Sequence, residues 1–213
     1  MDPADYDAWY DTPRGRWVGE TEYALAARFL KPQPGDNLLD VGCGTGWFTR
    51  RAAADGLQVT GLDPNPTWLD YARAHSSPAF NWVEGDAREL PFADASFDHV
   101  LSVAALCFVD DERRAVAESV RVARRRFAIG WLNRASLLYW QKGRGGGGGA
   151  YRGARWHTAS EVRALFSGLP VRKPKIRSAI FLPSATCRAR WLEQGMPSAL
   201  PWGGLLLASG EKA

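Results

Sequence analysis

The stretch Leu38-Leu39-Asp40-Val41-Gly42-Cys43-Gly44-Thr45-Gly46-Trp47-Phe48 joins an apolar run, an acid and three alternate glycines to the start of a helical pattern. That order describes a buried parallel strand running into a tight turn and a helix, the geometry on which nucleotide-type ligands are held. Without Cβ atoms, Gly42, Gly44 and Gly46 let the main chain turn sharply and let a ligand approach it closely. The spacing is G-x-G-x-G, not the G-x-G-x-x-G of dinucleotide sites. Asp40 stands two residues ahead of the first glycine, where a carboxylate repels a pyrophosphate and suits a cationic ligand. Two more acids follow, Asp63 closing an apolar run over 58–63 and Asp86 closing another over 80–86. Acids at the carboxyl ends of three successive strands would line the ligand crevice of an open α/β sheet.

Each acid also has a bland reading. Asp40 could cap the following helix, and Asp63 and Asp86 could start turns, since Asp is favoured at caps and turns. Three of them at equivalent strand ends beside one glycine turn point instead to a shared site.

These pieces recur in a fixed order: Leu39-Asp40-Val41-Gly42-Cys43-Gly44-Thr45-Gly46, Gly61-Leu62-Asp63, Glu84-Gly85-Asp86-Ala87, then Leu90-Pro91-Phe92 followed by Ser96-Phe97-Asp98. In that order, from about residue 38 to 110, the chain resembles the class I S-adenosylmethionine-dependent methyltransferases. The likeness is to the small-molecule branch often called methyltransferase type 11. The resemblance implies an α/β, Rossmann-like, seven-stranded and mostly parallel sheet with one antiparallel strand and helices on both faces. It also implies S-adenosylmethionine as cofactor and S-adenosylhomocysteine as product.

Carried over residue by residue, the resemblance places Asp40 and the Gly42, Cys43, Gly44 and Gly46 turn at the amino-acid end of the cofactor. Asp63 would accept from both ribose hydroxyls, Pro64 would lie against adenine, and Asp86 with the Ala87 N–H would read the adenine edge. Ser102 and Val103 would pass the methionine portion. From the N-terminal segment, Tyr10 would stack on the cofactor and Arg14 would reach its carboxylate.

The elements that would hold these residues follow from pattern. Residues 6–30 read as a helical segment interrupted near Pro13 and Gly15, and residues 1–30 as a lid on a single domain of 213 residues. Helices are expected after the glycine turn to Asp55, over 66–75, 111–124 and 135–142, and from a capping box at Thr158-Ala159-Ser160-Glu161 over 160–167. A fourth strand spans 97–103 and a fifth 126–131. Two final strands over 175–182 and 203–209, joined by a short connection, would end the sheet as an antiparallel hairpin. Residues 143–149, Gly-Arg-Gly-Gly-Gly-Gly-Gly, have almost no side chains to pack and read as a flexible loop overhanging the crevice.

Composition narrows the partners. The net charge of +4 comes from dispersed arginines, and Arg124-Arg125-Arg126 at a helix end would favour its dipole. A nucleic-acid acceptor would call for a concentrated basic face, so nucleic acid is disfavoured. No stretch is apolar enough to span a membrane, Met1-Asp2-Pro3-Ala4-Asp5 is no signal peptide, and three cysteines without metal spacing suit a reducing cytoplasm. After the fourth strand, residues 103–110 form an apolar wall. With Leu106, Phe108, Leu138, Tyr139, Trp140 and Trp156, it suggests a pocket for a small methyl acceptor. His157, beside the capping box, is the candidate base, while His99 reads as structural and His75 as capping its helix or solvated. A cofactor-binding module without transferase activity, an RNA or protein methyltransferase, and a dinucleotide oxidoreductase remain as alternative classes. The accepting atom and the oligomeric state stay open.

Overall fold

Helix α1 (Pro3–Asp11) opens with proline inside its first turn and with Asp2 accepting from the Ala4 N–H at 2.8 Å. The chain breaks at Thr12, whose extended backbone and hydroxyl cap α2 (Pro13–Leu30) through the Gly15 N–H at 3.0 Å. The break expected near Pro13 and Gly15 therefore falls one residue earlier, because a cap must precede the proline. The computed structural model describes residues 1–213.

Strands β1 (Asn37–Val41), β2 (Gln58–Asp63), β3 (Asn81–Glu84), β4 (Phe97–Val103), β5 (Ala123–Leu132), β6 (Val171–Ala179) and β7 (Leu205–Lys212) make one seven-stranded sheet. Its order is β3-β2-β1-β4-β5-β7-β6, with β7 antiparallel to both neighbours and every other pairing parallel. The expected sheet is present. Its parallel half reverses direction of travel between β1 and β4, the switch point outside which ligands sit in open α/β sheets.

Alternation along the strands decides which face each side chain meets. On β1, Leu38 packs with Tyr23, Leu30, Phe48 and Ala52, from α2 and α3 (Trp47–Ala54). Leu39 and Val41 pack on the other face with Val116 and Val120 of α5 (Glu112–Val122) and Val162 of α6 (Ala159–Leu165). On β7, Leu205 and Leu207 join the first group, and Leu206 and Ala208 the second. Helix α4 (Pro66–Ala74) packs against β2 and β3. No helix is long and apolar enough to cross a membrane.

Three expectations are corrected. Helix α5 ends at Val122 and β5 begins at the next residue, so Arg124, Arg125 and Arg126 lie in a strand and not at a helix terminus. Each faces an acid from a neighbouring segment: Arg124 on Asp98 at 2.6 Å, Arg125 on Asp36 at 3.2 Å and Arg126 on Glu211 at 3.2 Å. The connection from β6 to β7 is not short: it carries α7 (Cys187–Gly195) and lets β7 insert between β5 and β6. That connection is tied back by Glu193, whose carboxylate accepts from the Ile180 and Phe181 N–H groups at 2.6 and 2.8 Å. The segment expected as a helix over 135–142 turns with a wider π pitch over Tyr139–Gly143.

Candidate functional site

The glycine turn is held by the strand beside it. The Gly42 and Cys43 N–H groups both donate to the Leu62 carbonyl, at 2.7 and 3.0 Å. Gly42 has φ +74° and Gly44 φ +55°, a region that side-chain-bearing residues rarely adopt. A Cβ on Gly42 would lie 2.3 Å from the Ala105 Cβ. Gly42→Val should therefore displace the turn and abolish ligand binding, with strain of about 1–3 kcal/mol from the backbone alone. A folded variant with wild-type ligand affinity by calorimetry would refute the role of this turn.

A cavity of about 1020 Å³ opens over the carboxyl ends of β1, β2 and β4. Drug-sized ligands occupy pockets of about 300–1,000 Å³, so this one has room for a nucleoside-sized molecule and a small second one. Its walls include Tyr10, Arg14, Gly42, Cys43, Gly44, Asp63, Pro64, Asp86, Ala87 and Val103. Ten of the thirteen residues assigned to the cofactor from sequence thus face one space.

Asp63 ends β2 with Oδ2 accepting from the Gly44 N–H at 2.9 Å and Oδ1 accepting from the Asn65 N–H at 3.0 Å. A carboxylate offers about four lone-pair positions, so one on each oxygen is left for a ligand. Burial pushes this carboxyl above the ordinary Asp range, and the two N–H groups oppose the shift. Asp86 accepts from the Arg88 N–H at 2.8 Å and is gripped by the Arg88 guanidinium, with Nη2 at 2.6 Å from Oδ2. Those Arg88 bonds hold its carboxyl below the usual range. The buried Ala87 lines the crevice, and its N–H makes no hydrogen bond within the chain.

Three of the assigned residues lie elsewhere. Asp40 is 2% exposed and accepts from the Thr49 hydroxyl of α3 at 2.7 Å. It shares a face with Leu38, beneath the turn and outside the crevice wall. Burial pushes its carboxyl up to about 7, with the Asp63 charge adding to the shift and the Thr49 bond opposing it. Gly46 begins α3 and faces Trp82 and Ala72, away from the cavity. Ser102 is fully buried, and period-two alternation turns it to the face opposite Val103, so only the latter reaches the crevice.

The histidines are structural in their contacts. His157 Nε2 lies 2.8 Å from Glu112 Oε2, whose other oxygen accepts from Arg155 at 2.7 Å, and His157 does not line the crevice. It pins the segment after the glycine run to the start of α5. His99 sits 2.9 Å from Asp36, and His75 stacks on Tyr71 at 3.9 Å. Cys43 and Cys107 are buried, and burial drives both thiols upward, Cys107 to about 12, so neither is a nucleophile.

The acceptor wall is partly corrected. Leu106, Phe108 and Leu138 line the crevice, whereas Trp156 is in the core against Tyr139 and Trp140 is 64% exposed. From the glycine run, Gly148 and Gly149 reach the cavity with Ala150 and Tyr151, while Gly143 packs against Tyr139 and Trp156. Helix α1 lies against α3 and α4 through Asp7 on Arg50 at 2.8 Å and Tyr6 on Trp68 at 4.9 Å. Tyr10 stacks on Trp47 at 4.6 Å, which occupies one of its ring faces. Sequence reasoning missed Tyr6, Glu22, Arg88 and Tyr151, all in the crevice wall. The signal for Glu22 was available: Arg14, Val18 and Glu22 recur at four-residue spacing on one helix.

Residues 39–126 match the family model described as "Methyltransferase domain". An uncharacterized protein of Mycobacterium tuberculosis is 36% identical over 198 residues, covering 88% of this chain and 64% of that protein. A malonyl-[acyl-carrier protein] O-methyltransferase of Serratia marcescens is 41% identical over 91 residues, 43% of this chain and 35% of that enzyme. The chain thus spans less than two thirds of the length of these curated relatives. A crystal structure of a SAM-dependent methyltransferase from Thermotoga maritima superposes with a TM-score of 0.77 at 23% identity, covering 99% of this chain and 95% of that one.

Proposed function

We propose, from a chain whose residues 39–126 belong to the methyltransferase domain family and whose fold is the class I methyltransferase sheet, that the crevice binds S-adenosylmethionine and methylates a small molecule. When bound, the cofactor supplies an electrophilic methyl group on a sulfonium centre.

The observation that carries this reading is the arrangement around Asp63. A carboxylate that lines the cavity and is held by two backbone N–H groups keeps one acceptor position per oxygen unused, a match for two adjacent ribose hydroxyls. Beside it, the Gly42–Gly44 turn offers bare main chain and the free Ala87 N–H offers a donor for an adenine edge, while Asp86 accepts from a ligand once the Arg88 side chain yields one of the bonds it makes to that carboxylate. Arg14 lines the same space with its Nε buried and unpartnered, which fits a ligand carboxylate. The acids Glu22, Asp63, Asp86 and Asp110 in the wall disfavour a pyrophosphate.

A small acceptor is supported by the wall beyond the cofactor half, where Tyr6, Leu106, Phe108, Leu138 and Tyr151 enclose apolar space. Nucleic acid is disfavoured because the arginine run is paired with acids across the sheet. Three free cysteines fit a reducing compartment such as the cytoplasm. Calorimetry is the direct test: S-adenosylhomocysteine should bind in one site and NAD should not. Binding of NAD with no response to S-adenosylhomocysteine would reverse the reading.

The N-terminal helices act as the lid in this reading. They supply Tyr6, Tyr10 and Arg14 to the wall, so a ligand beneath them gains contacts that hold them down. Amide exchange over residues 6–17 is expected to slow when S-adenosylhomocysteine is added. Equal exchange with and without ligand would make the segment a docked scaffold.

A further inference from the structure

Along α2, Arg14, Val18 and Glu22 form one stripe, and all three side chains reach the crevice. Glu22 makes no hydrogen bond and no ion pair with the rest of the chain, and burial alone governs its ionisation. A half-buried carboxyl facing a cavity without a partner is costly unless a ligand completes it. We infer that Glu22 is the acceptor-binding carboxyl of this crevice and that the acceptor it takes is a small molecule carrying a basic nitrogen. The inference rests on the methyltransferase reading and adds a substrate class to it.

The surroundings of Glu22 favour a cation. Its negative charge acts on the phenols of Tyr6, Tyr10 and Tyr151, which come from α1 and from the segment after the glycine run. Ring faces and a carboxylate together stabilise an ammonium more than either does alone. The cations Arg14, two turns earlier on the same helix, Arg88 and Lys142 line the same cavity, yet none pairs with Glu22, and Asp5 adds a second acid there. The cationic slot beside the carboxyl is therefore unfilled by the chain.

Glu22 is also separate from the cofactor half. The carboxylates of Asp63 and Asp86 take their hydrogen bonds from Gly44, Asn65 and Arg88, and Glu22, carried on α2, is not part of that network. Burial pushes the Glu22 carboxyl up to about 8, so near pH 7 it is mostly neutral until a cation draws it into the charged form.

The same group can ready the nitrogen. An ammonium has no lone pair to attack with. When its proton passes to the Glu22 carboxylate, the N–H electron pair stays on nitrogen as a lone pair and a carboxylate oxygen forms the new O–H bond. The proton later leaves Glu22 for water. An alcohol is far too weak an acid for such an exchange with a carboxyl of this strength.

The test uses the full chain saturated with S-adenosylhomocysteine, titrated with phenethylamine, phenethyl alcohol and phenylethanethiol at pH 7. Running each titration in buffers of different ionisation enthalpy reads the proton balance. The amine should bind about tenfold or more tightly than the other two and should release about one proton on binding. Glu22→Gln should lose both the preference and the proton release, while S-adenosylhomocysteine affinity stays unchanged. Equal affinity for the three probes, no proton release, or unchanged amine binding in Glu22→Gln would overturn the assignment. Equal weakening of S-adenosylhomocysteine in that variant would move Glu22 to the cofactor site and overturn it as well. Failure of the wild-type chain to bind S-adenosylhomocysteine would instead bring down the methyltransferase reading, and this inference with it.

Discussion

Asp63→Ala is expected to weaken S-adenosylhomocysteine binding by about 2–4 kcal/mol, roughly 30- to 700-fold. In the proposed site the change removes the acceptor of two ligand hydroxyls from a half-buried position, where lost charge-assisted bonds are most felt. It also strips partners from the Gly44 and Asn65 N–H groups, loosening the turn that must contact the ligand. Both effects act in the same direction. Isothermal titration of the variant, beside a thermal melt that establishes folding, reads the outcome. Unchanged affinity in a folded Asp63→Ala protein would remove Asp63 from the site.

The second large effect is on stability against pH, through Asp40. Its carboxyl is held up at about 7 by burial, against an ordinary value of 3.8. In the unfolded chain it ionises near 3.8, whereas the folded chain keeps the proton until about 7. Unfolding between those values releases a proton, so stability is full below the unfolded value and is lost as pH rises through the folded one. The loss is on the order of 4 kcal/mol at its upper bound. Asp40→Asn keeps an oxygen to accept from Thr49 Oγ1 and cannot ionise. Its melting temperature should match wild type at pH 4 and exceed it at pH 8. Glu22, raised to about 8 by burial, acts in the same sense and cancels in the comparison of Asp40→Asn with wild type. A difference between the two proteins that is the same at pH 4 and pH 8 would contradict the ionisation argument.

Much of the cofactor half was legible because its signals are local. A strand, a glycine turn with positive φ and an acid at the strand end are all consequences of residues within a few positions of one another. For that reason Gly42, Gly44, Asp63, Pro64, Asp86 and Ala87 were picked out by spacing and by the family resemblance, and the structure brings them to one cavity. Asp40 shows where locality stops. Its place in the motif is unambiguous, but whether its side chain faces the ligand or α3 depends on which face of β1 that helix covers. Ser102 and Val103 make the same point. They are adjacent in the chain, so at most one can line the crevice, and the packing on each side of β4 chooses Val103.

The rest was decided by contacts between segments far apart in sequence. His157 follows the glycine run closely enough to reach the crevice, but Glu112, far earlier in the chain, holds it at 2.8 Å. The run Arg124–Arg126 reads as a helix end because three cations suit a helix dipole. In the fold, acids from β4, β7 and the segment before β1 surround those positions and hold them in a strand. Glu22 carried only a helical spacing. Its lack of a cationic partner exists only once α2 packs on the sheet and brings Arg14, Val18 and Glu22 to the crevice.

What the sequence by itself determined is the class of fold, the parallel half of the sheet and the residues of the glycine turn with the acids at two strand ends. Those follow from hydrophobic period and backbone conformation, which act over one strand–helix unit. Tertiary structure alone decided the insertion of β7, the burial that lifts Asp40 and Glu22, and the selection of which neighbouring side chain faces the cavity. Burial and pairing are properties of the space between segments, set by the packing free energy of the whole chain, and a linear pattern does not carry them.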